Sequence, residues 1–264
     1  MIIADSLRQE CMPEMVYIIC KLAGAKDKYR KEEFKKLITL GHENTTAYDR
    51  VFKFSLDCNF IKLINGEKVS TDFTEEQLRN FNILRFTIAD NIFKEKDTAF
   101  TLLVKWYLGQ QSNVFSYKSA EELKNKIPRE IEFGINIEKD FILGFRYWAV
   151  ALGLATFQKA GAGSTLVFGC NNNICDWLKF KKPFESGKKI PVKMFINQLI
   201  IDSPQYLNTI KDNRIKQSLS MALRILNNQK IIELKYIPDT SDIWHLTNSI
   251  QYPETNMISE IIVR

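Results

Sequence analysis

Near residue 59 a helical spacing of apolar residues gives way to two short runs with strand-like alternation. Asn59 stands where the helical pattern stops, and Asn is a common left-handed residue at helix ends. Asn65-Gly66 separates the two short runs and is the strongest two-residue signal for a β-hairpin. The pattern predicts three helices and a hairpin, with helices at residues 14–22, 32–40 and 45–58 and strands at 60–63 and 68–70.

The same order of elements is predicted twice more along the chain. Gly153 ends the helical spacing of the second copy, and the polar run 227–229 ends that of the third. The second copy has helices at 99–108, 120–126 and 147–152 and strands at 154–157 and 165–168 around a loop at 159–164. The third has helices at 192–201, from Ser203-Pro204 onward and at 218–226, and strands at 231–236 and 243–246 around Pro238-Asp239. A buried core helix is the alternative for the second copy, because residues 141–154 are apolar on nearly every face.

Two stretches join the three copies. Thr74 and Gln77 have the spacing of a capping box, and apolar residues then repeat at helical intervals up to Ile92. Residues 74–95 are therefore predicted to form one long connecting helix. Residues 170–190 contain five lysines around Pro183 and Gly187, which indicates a basic linker with a short helix at 173–180.

Three helices followed by a two-stranded wing are the winged-helix plan, and residues 46–69 and 214–246 resemble the third helix and wing of winged-helix domains. The predicted class is mainly α with small β-hairpin wings (α+β), as tandem winged-helix domains joined by a long helix. The predicted boundaries are 1–72 for domain 1, 73–96 for the connecting helix, 97–169 for the winged-helix-like domain 2, 170–190 for the basic linker and 191–264 for domain 3. Several winged helices without an enzyme core resemble accessory components of bacterial DNA-modification and phage-defence clusters.

Bulk properties point to a cytoplasmic globular protein. Hydrophobic residues make up 45% and charged residues 26% of the 264 positions, a balance typical of chains that fold. The five cysteines are an odd number, which fits a reducing compartment. The longest apolar stretch, 141–157, contains Arg146 and falls short of the roughly 20 residues that a bilayer span needs, so no membrane association is expected.

No constellation in the sequence indicates catalysis. His42 and His245 lack companions at metal or triad spacing, and the glycine-containing run 161–165 lacks the Gly-Lys-Ser/Thr ending of a phosphate loop. Adjacent acids at 32–33, 75–76 and 121–122 fall in first turns of predicted helices, where they complement the helix dipole. The sequence therefore predicts no enzyme activity, no cofactor and no metal site.

Binding of double-stranded DNA is the leading functional prediction. A winged helix would place the start of its third helix in the major groove and its wing near the backbone. The net charge is +6, and residues 169–190 supply half of the excess. A solvated polar face is the alternative, because Asp49 and Asp212 dilute the positive charge. The candidate DNA-binding residues are Thr45, Thr46, Arg50, Lys53, Lys62 and Lys68 in domain 1, Lys179, Lys181 and Lys182 in the linker, and Lys211, Asn213, Arg214, Lys216 and Gln217 in domain 3.

Three hypotheses follow for the function. The first is a non-enzymatic DNA-binding protein or DNA-facing subunit of a larger DNA-processing or defence machine. The second is a scaffold that binds a partner ATPase or nuclease, or a second copy of itself, through the apolar helices at 74–95 and 141–157. The third is a transcription regulator, which would need an effector pocket or a dimerisation helix that the sequence does not identify.

Overall fold

The protein is an α+β protein in which helices predominate over small sheets that are mainly antiparallel. The computed structural model describes residues 7–25, 28–94, 98–117, 119–128, 137–160, 163–238, 240, 242–252 and 256–264. Two compact units are present: Met1–Phe100 with Ala120–Ala151, and Thr101–Ser119 with Leu152–Arg264. Within the described residues, no helix is long and apolar enough to cross a membrane.

The first unit contains helices from both of its segments and one two-stranded sheet. Its elements are α1 (Pro13–Ala23), α2 (Lys31–Thr39), α3 (Thr46–Asp57), β1 (Lys62–Ile64), β2 (Lys68–Ser70), α4 (Glu75–Arg79) and α5 (Phe81–Lys94). The next helix, α6 (Ala99–Leu108), begins in this unit and continues in the second. Helices α7 (Ala120–Lys124) and α8 (Lys139–Ala151) complete the first unit.

The first predicted hairpin is confirmed. Asn59 adopts a left-handed conformation (φ 54°) after α3, where the Phe60 amide donates to the Ser55 carbonyl at 2.9 Å and closes the helix. Asn65 (φ 52°) and Gly66 (φ 74°) supply the two consecutive left-handed residues of a tight turn, and β1 pairs antiparallel with β2. Arg30 bridges to Lys68 on the other side, so β2 lies between Arg30 and β1.

The predicted single connecting helix is wrong, because the structure divides it into α4 and α5. The capping box between Thr74 and Gln77 is present as predicted and starts α4. Asn80 then leaves the helical conformation (φ −112°, ψ 104°), and its side-chain oxygen accepts from the Asn82 amide at 3.1 Å. A side chain that caps a new helix competes with continuation of the old one, which explains the break. Glu95, the last predicted residue, lies outside the described residues.

Trp148 of α8 anchors the core of the first unit. Its ring stacks on Phe60 at a centroid distance of 5.8 Å and lies 5.6 Å from Phe54. Its Nε1 donates a hydrogen bond of 2.7 Å to the Cys11 carbonyl, which satisfies the one polar atom of the buried side chain. With Phe141 and Phe145 also buried, α8 is a core helix, as the alternative for the second copy proposed.

The second unit continues from α6 with a 3₁₀ helix (Gln111–Ser116) and resumes after α8. Its strands and helices are β3 (Ala155–Ala160), β4 (Gly163–Phe168), α9 (Asn171–Asp176), a π-helical turn (Trp177–Lys181), β5 (Lys189–Pro191), α10 (Val192–Asp202), a 3₁₀ helix (Pro204–Thr209), β6 (Ile210–Lys211), β7 (Arg214–Ile215), α11 (Gln217–Asn228), β8 (Ile232–Lys235), β9 (Trp244–Leu246), β10 (Met257–Ile258) and β11 (Glu260–Val263).

The second predicted hairpin exists, but its strands are longer than predicted. β3 pairs antiparallel with β4 from Ala155 opposite Phe168 to Ala160 opposite Gly163. The predicted six-residue loop at 159–164 is therefore wrong, and residues 161–162 between the strands lie outside the described part of the chain. Residues of the predicted domain 2 are distributed over both units: α7 and α8 belong to the first, and this hairpin belongs to the second.

The third predicted hairpin is wrong. β8 pairs antiparallel with β11, whereas β9 pairs with β10 and, in parallel, with β7. The helix before it ends near the predicted place, with Lys230 (φ 60°) as the left-handed residue. Ile261, Ile262 and Val263 of β11 are buried and offer β8 a better apolar partner than the adjacent run does. β8 therefore pairs with a distant strand rather than with the next strand in the sequence.

Residues 171–181 of the predicted basic linker are folded rather than extended. The short helix predicted at 173–180 lies within α9 and the π-helical turn that continues it. Trp177 packs edge to face on Phe195 of α10, with centroids 5.4 Å apart, and its Nε1 donates to Asp202 at 3.0 Å. These contacts fix the segment against α10.

The two units share one order of elements. In the second, α9, β5, α10, α11, β8 and β11 follow one another, with β6 and β7 inserted before α11 and β9 and β10 inserted before β11. The sheet order is β5-β11-β8, so the last strand lies in the centre. In the first unit α1, Arg30, α2, α3, β1 and β2 follow the same order, and the last strand again lies in the centre.

Candidate nucleic-acid interface

The predicted outward face of α3 is exposed. Thr46, Arg50 and Lys53 are exposed and Thr45 is half-buried, while Tyr48, Val51, Phe52, Phe54 and Cys58 on the other side of the helix are buried. Ala47, in the first turn of α3, is exposed as well. We name Thr45, Thr46, Arg50 and Lys53 the α3 face.

Acidic side chains of the same unit pair with cations of α2, α3 and β1. Arg50 pairs with Glu10, and Lys62 of β1 pairs with Asp72. Asp49 accepts from Lys35 Nζ at 3.0 Å and from Thr45 Oγ1 at 2.8 Å. These two hydrogen bonds hold the pKa of the Asp49 carboxyl below its ordinary value. The pairs cancel much of the positive charge that this surface could offer to a phosphate.

Lys53 and Lys68 differ from their neighbours on this surface. Both are exposed, and neither forms an ion pair with a residue that the structure describes. They are the two candidate cations of the first unit that keep an uncompensated charge. Two separated lysines make a weaker field than a cluster does.

The candidate residues of the second unit lie mostly on a hairpin, not at a helix start as predicted. Asp212 (φ 50°) and Asn213 (φ 57°) form the turn between β6 and β7, and Asx residues tolerate this conformation well. Lys211, Asn213 and Arg214 are exposed on this hairpin, whereas Lys216 is the N-cap of α11 and Gln217 its first residue. We name residues 210–216 the basic hairpin.

A pocket of about 650 Å³ opens beside the basic hairpin. Thr247 forms one wall, where its Oγ1 donates to the Ile215 carbonyl at 3.0 Å and its amide donates to Ser220 Oγ at 3.0 Å. Lys211, Arg214 and Lys216 make no ion pair with any described residue. We name this cavity the basic pocket; it is lined by Lys211, Asp212, Arg214, Ile215, Lys216 and Thr247.

The basic pocket is suited to an anion. Its lining holds three cations against the single acid Asp212. Lys216 is also the N-cap residue of α11, a helix of 12 residues, and its ammonium group cannot accept from the first amides of that helix. Unsatisfied amides and the helix dipole both favour negative charge at that end. The arrangement can therefore hold a phosphate group by charge and by hydrogen bonds.

Helix α11 offers its N-terminal end rather than a free face. Leu219, Leu223 and Arg224 are buried, and its half-buried side chains Gln217, Met221 and Ile225 line a second cavity. By comparison, α3 presents an exposed stripe. A groove contact through the side of α11 would need that second cavity to open.

The linker lysines are exposed but stand apart from the basic pocket. Lys179, Lys181 and Lys182 follow one another at the end of the π-helical turn, and none of them lines the pocket. Lys179 Nζ lies 5.4 Å from the Phe180 ring centroid, which occupies it in a cation–π contact.

The cysteines and histidines do not form a cluster in the described residues. No group of three metal-binding side chains occurs there, and His42 and His245 are both exposed. Burial raises the pKa of the Cys11 thiol to about 11 and that of Cys20 to about 12. Burial also raises the pKa of Cys58 and Cys170. Protonated thiols of this kind are poor nucleophiles and poor metal ligands near neutral pH.

Sequence reasoning missed two features of the basic pocket. The turn at Asp212-Asn213 had a readable signal, because two residues that tolerate the left-handed region stand between two short apolar-basic pairs. The role of Thr247 had no signal, since only the parallel pairing of β7 with β9 brings it to the pocket.

The described part of the chain is thus an α+β protein with an uncompensated basic hairpin at the start of a helix. The chain belongs to the DpdG-like family, whose model matches residues 12–240. This membership is consistent with a component of a DNA-modification or phage-defence cluster, as the resemblance predicted. No curated protein and no solved structure matches the chain.

Proposed function

We propose that this protein is a DNA-binding subunit of a DNA-modification or phage-defence machine, and that the basic hairpin of the second unit is its main DNA contact. The uncompensated cations of the basic pocket carry this proposal. Phosphate contacts dominate the affinity of proteins for DNA, and unpaired lysine and arginine side chains supply them. Membership of the DpdG-like family adds a DNA-related context.

We further propose that residues 13–70 and 171–263 are winged-helix domains. The shared order of helices and strands in the two units supports this assignment, as does the central place of the last strand in each sheet. In such domains the wing and the start of the third helix approach the DNA backbone. The basic hairpin directly precedes the third helix α11 and so occupies a suitable position. That the protein has no catalytic activity of its own stays a prediction from the sequence.

The scaffold hypothesis has less support. Its motive was the apolar load of residues 74–95 and 141–157, and most of that load is buried inside the first unit. Leu84, Ile88 and Ile92 of α5 are buried, as are Phe145 and Trp148 of α8. Phe81 at 44% exposure and Tyr147 at 37% are the large apolar side chains of α5 and α8 that remain accessible. Partner binding through these helices therefore stays a prediction.

An electrophoretic shift assay over a range of salt concentrations tests the proposal. The full chain should bind a random-sequence duplex at low salt, with log affinity falling by about 0.9 per decade of salt for each phosphate neutralised. The triple variant K211A/R214A/K216A should reduce the magnitude of that slope by about 2 to 3.

The matched control is K188A/K193A/K230A, which removes three other exposed lysines of the second unit. The salt slope of this control should differ from that of the unchanged protein by no more than about 0.9, which is the contribution of one phosphate contact. Absence of binding by the unchanged protein at low salt would exclude the proposed function. Equal slopes for the two triple variants would exclude the basic hairpin as the contact.

A further inference from the structure

A second cavity lies wholly within the second unit, beside the start of α11. Its volume is about 550 Å³, it is partly open to solvent, and it is lined by the β3–β4 hairpin, the end of α6 with the following 3₁₀ helix, and α11, together with Ser249 and Gln251. None of its lining residues carries a charge. A ligand with a net charge would therefore gain no ion pair here. We name this cavity the amide pocket.

Besides Asn171, whose amide bonds with its neighbour Asn172, three glutamines line the amide pocket: Gln158 of β3, Gln217 of α11 and Gln251 from the segment after β9. Their side chains make no hydrogen bond with any residue that the structure describes. Each amide offers one acceptor and two donors, which is the pattern that glutamine uses to pair with the edge of a base. The amides are thus available to a neutral ligand that carries both donors and acceptors.

Thr165 lies on the same hairpin face, opposite Gln158 in the register and two residues before Val167. Its side chain is buried with 2% exposure, and its Oγ1 has no hydrogen-bond partner among the residues that the structure describes. Thr165 is not one of the residues that line the cavity, so a ligand there would meet the glutamines rather than this hydroxyl.

The apolar part of the lining suits a flat ring. Tyr107 and Phe168 pack with centroids 4.7 Å apart, and the Tyr107 hydroxyl donates to the Leu166 carbonyl at 2.7 Å, which fixes the ring. Met221 and Ile225 of α11 form the opposite apolar part. Aromatic and apolar walls with a few polar groups on the edge are the usual surroundings of a bound nucleobase.

The basic pocket and the amide pocket are lined by consecutive residues at the start of α11. Lys216 lines the basic pocket, and Gln217 lines the amide pocket. A nucleotide has the same two parts, a charged phosphate joined to a neutral heterocycle. We propose that the amide pocket receives a nucleobase turned out of the DNA whose phosphates bind the basic hairpin; this inference rests on the proposed function.

A fluorescent duplex tests the inference. 2-Aminopurine placed at one position of a duplex brightens when it leaves the base stack, so titration with the full chain should raise its emission several-fold. The variant Q158A/Q251A should abolish that rise and weaken duplex binding by about tenfold, while the salt slope stays unchanged. The control Q229A removes an exposed glutamine at the end of α11, outside the pocket, and should leave both signals unchanged.

The outcomes separate the inference from the proposed function. If the duplex binds with the expected salt slope but the 2-aminopurine emission does not rise, the inference is contradicted and the proposed function is not. Absent binding at low salt overturns the proposed function and the inference with it. Titration with each of the four free deoxynucleosides by calorimetry forms the second arm. Micromolar binding of a free nucleoside, together with a dark duplex, would assign the pocket to a small effector instead of a DNA base.

Discussion

The α3 face and the basic hairpin carry similar residues but differ in what surrounds them. In the first unit Arg50 and Lys62 each have an acidic partner, and Asp49 takes up Lys35. In the second, Lys211, Arg214 and Lys216 surround a pocket with Asp212 as its single acid and form no ion pair with a described residue. A count of lysines and arginines would not reveal this difference. The two surfaces differ in uncompensated charge, which is what a contact with a phosphate requires.

The two regions also differ in how their cores are supported. The first depends on Trp148, which comes from α8 and packs on Phe54 and Phe60 from another part of the chain. The second holds its own tryptophan, since Trp177 follows α9 directly and packs on Phe195 of α10. Damage to α8 should therefore affect the first region selectively. Four predictions follow from this pair of differences.

Removing Trp148 should have the largest effect. W148A should lower the free energy of unfolding of the first unit by about 3–5 kcal/mol, because truncating a buried aromatic leaves a cavity and removes the hydrogen bond from Trp148 Nε1 to the Cys11 carbonyl. Urea unfolding followed by circular dichroism measures the loss. Y147A on the same helix, at an exposed position, should cost less than about 1 kcal/mol. DNA binding at low temperature should persist in W148A; its loss would contradict a DNA contact carried by the second unit.

Charge reversal in the basic hairpin ranks second. K211E/R214E/K216E should weaken duplex binding by about 100-fold or more, because hydrogen bonds to charged groups contribute about 1.5–3 kcal/mol each. Fluorescence anisotropy at fixed salt measures the affinity. K188E/K193E/K230E makes the same change in net charge at other exposed lysines and should weaken binding by less than about tenfold. Similar losses of affinity in both variants would show that the effect depends on net charge and not on the basic hairpin.

Substitutions that free the paired cations of the first unit should strengthen DNA binding. E10Q/D72N frees Arg50 and Lys62, so we expect binding to tighten by about 3- to 10-fold at low salt and the slope to steepen by up to about 2. E75Q/E185Q frees Arg79 and Lys188 elsewhere and serves as the matched control. If both variants tighten binding equally, the α3 face has no special relation to DNA.

The Asp49 network should give the smallest effect. Its carboxyl has a lowered pKa in the folded state, so the pair with Lys35 stabilises the protein above the unfolded-state pKa of about 3.9 and loses that contribution as pH falls. Both partners are partly exposed, so D49N should cost less than about 1 kcal/mol at pH 7. Thermal melts of D49N and the unchanged protein should converge below about pH 4. D57N, at an exposed position on the same helix, should show no such convergence; a constant D49N deficit at every pH would contradict the ion-pair explanation.

Local signals predicted local structure well. Asn59, Asn65 and Gly66 impose left-handed conformations that any fold containing them must accommodate, and the first hairpin formed as predicted. The limits of α6 and the helical segment within the linker were also readable from spacing alone. These elements depend on contacts within a few residues, and the sequence displays those contacts directly.

Pairing between distant segments could not be predicted from these local signals. The strand after α11, which is β8, was predicted to pair with the next strand in the sequence. It pairs instead with β11, whose residues lie about 28 positions further along the chain than their partners in β8. The basic pocket could not be predicted from the sequence either, because Thr247 lies beside it only as a result of the pairing between β7 and β9. Ion pairs such as Arg50–Glu10 join residues 40 positions apart, and no spacing rule reveals them. Candidate residues could be named from the sequence, but their charge balance could not.

The central place of β11 has a consequence for biosynthesis. β5 and β8 leave the ribosome before β11, and each then has an unpaired edge on the side that β11 will occupy. Unpaired edges of this kind recruit strands from other chains. We therefore expect nascent copies that have not reached Val263 to be prone to aggregation, and slower synthesis across the last strand would lengthen the exposure of these edges.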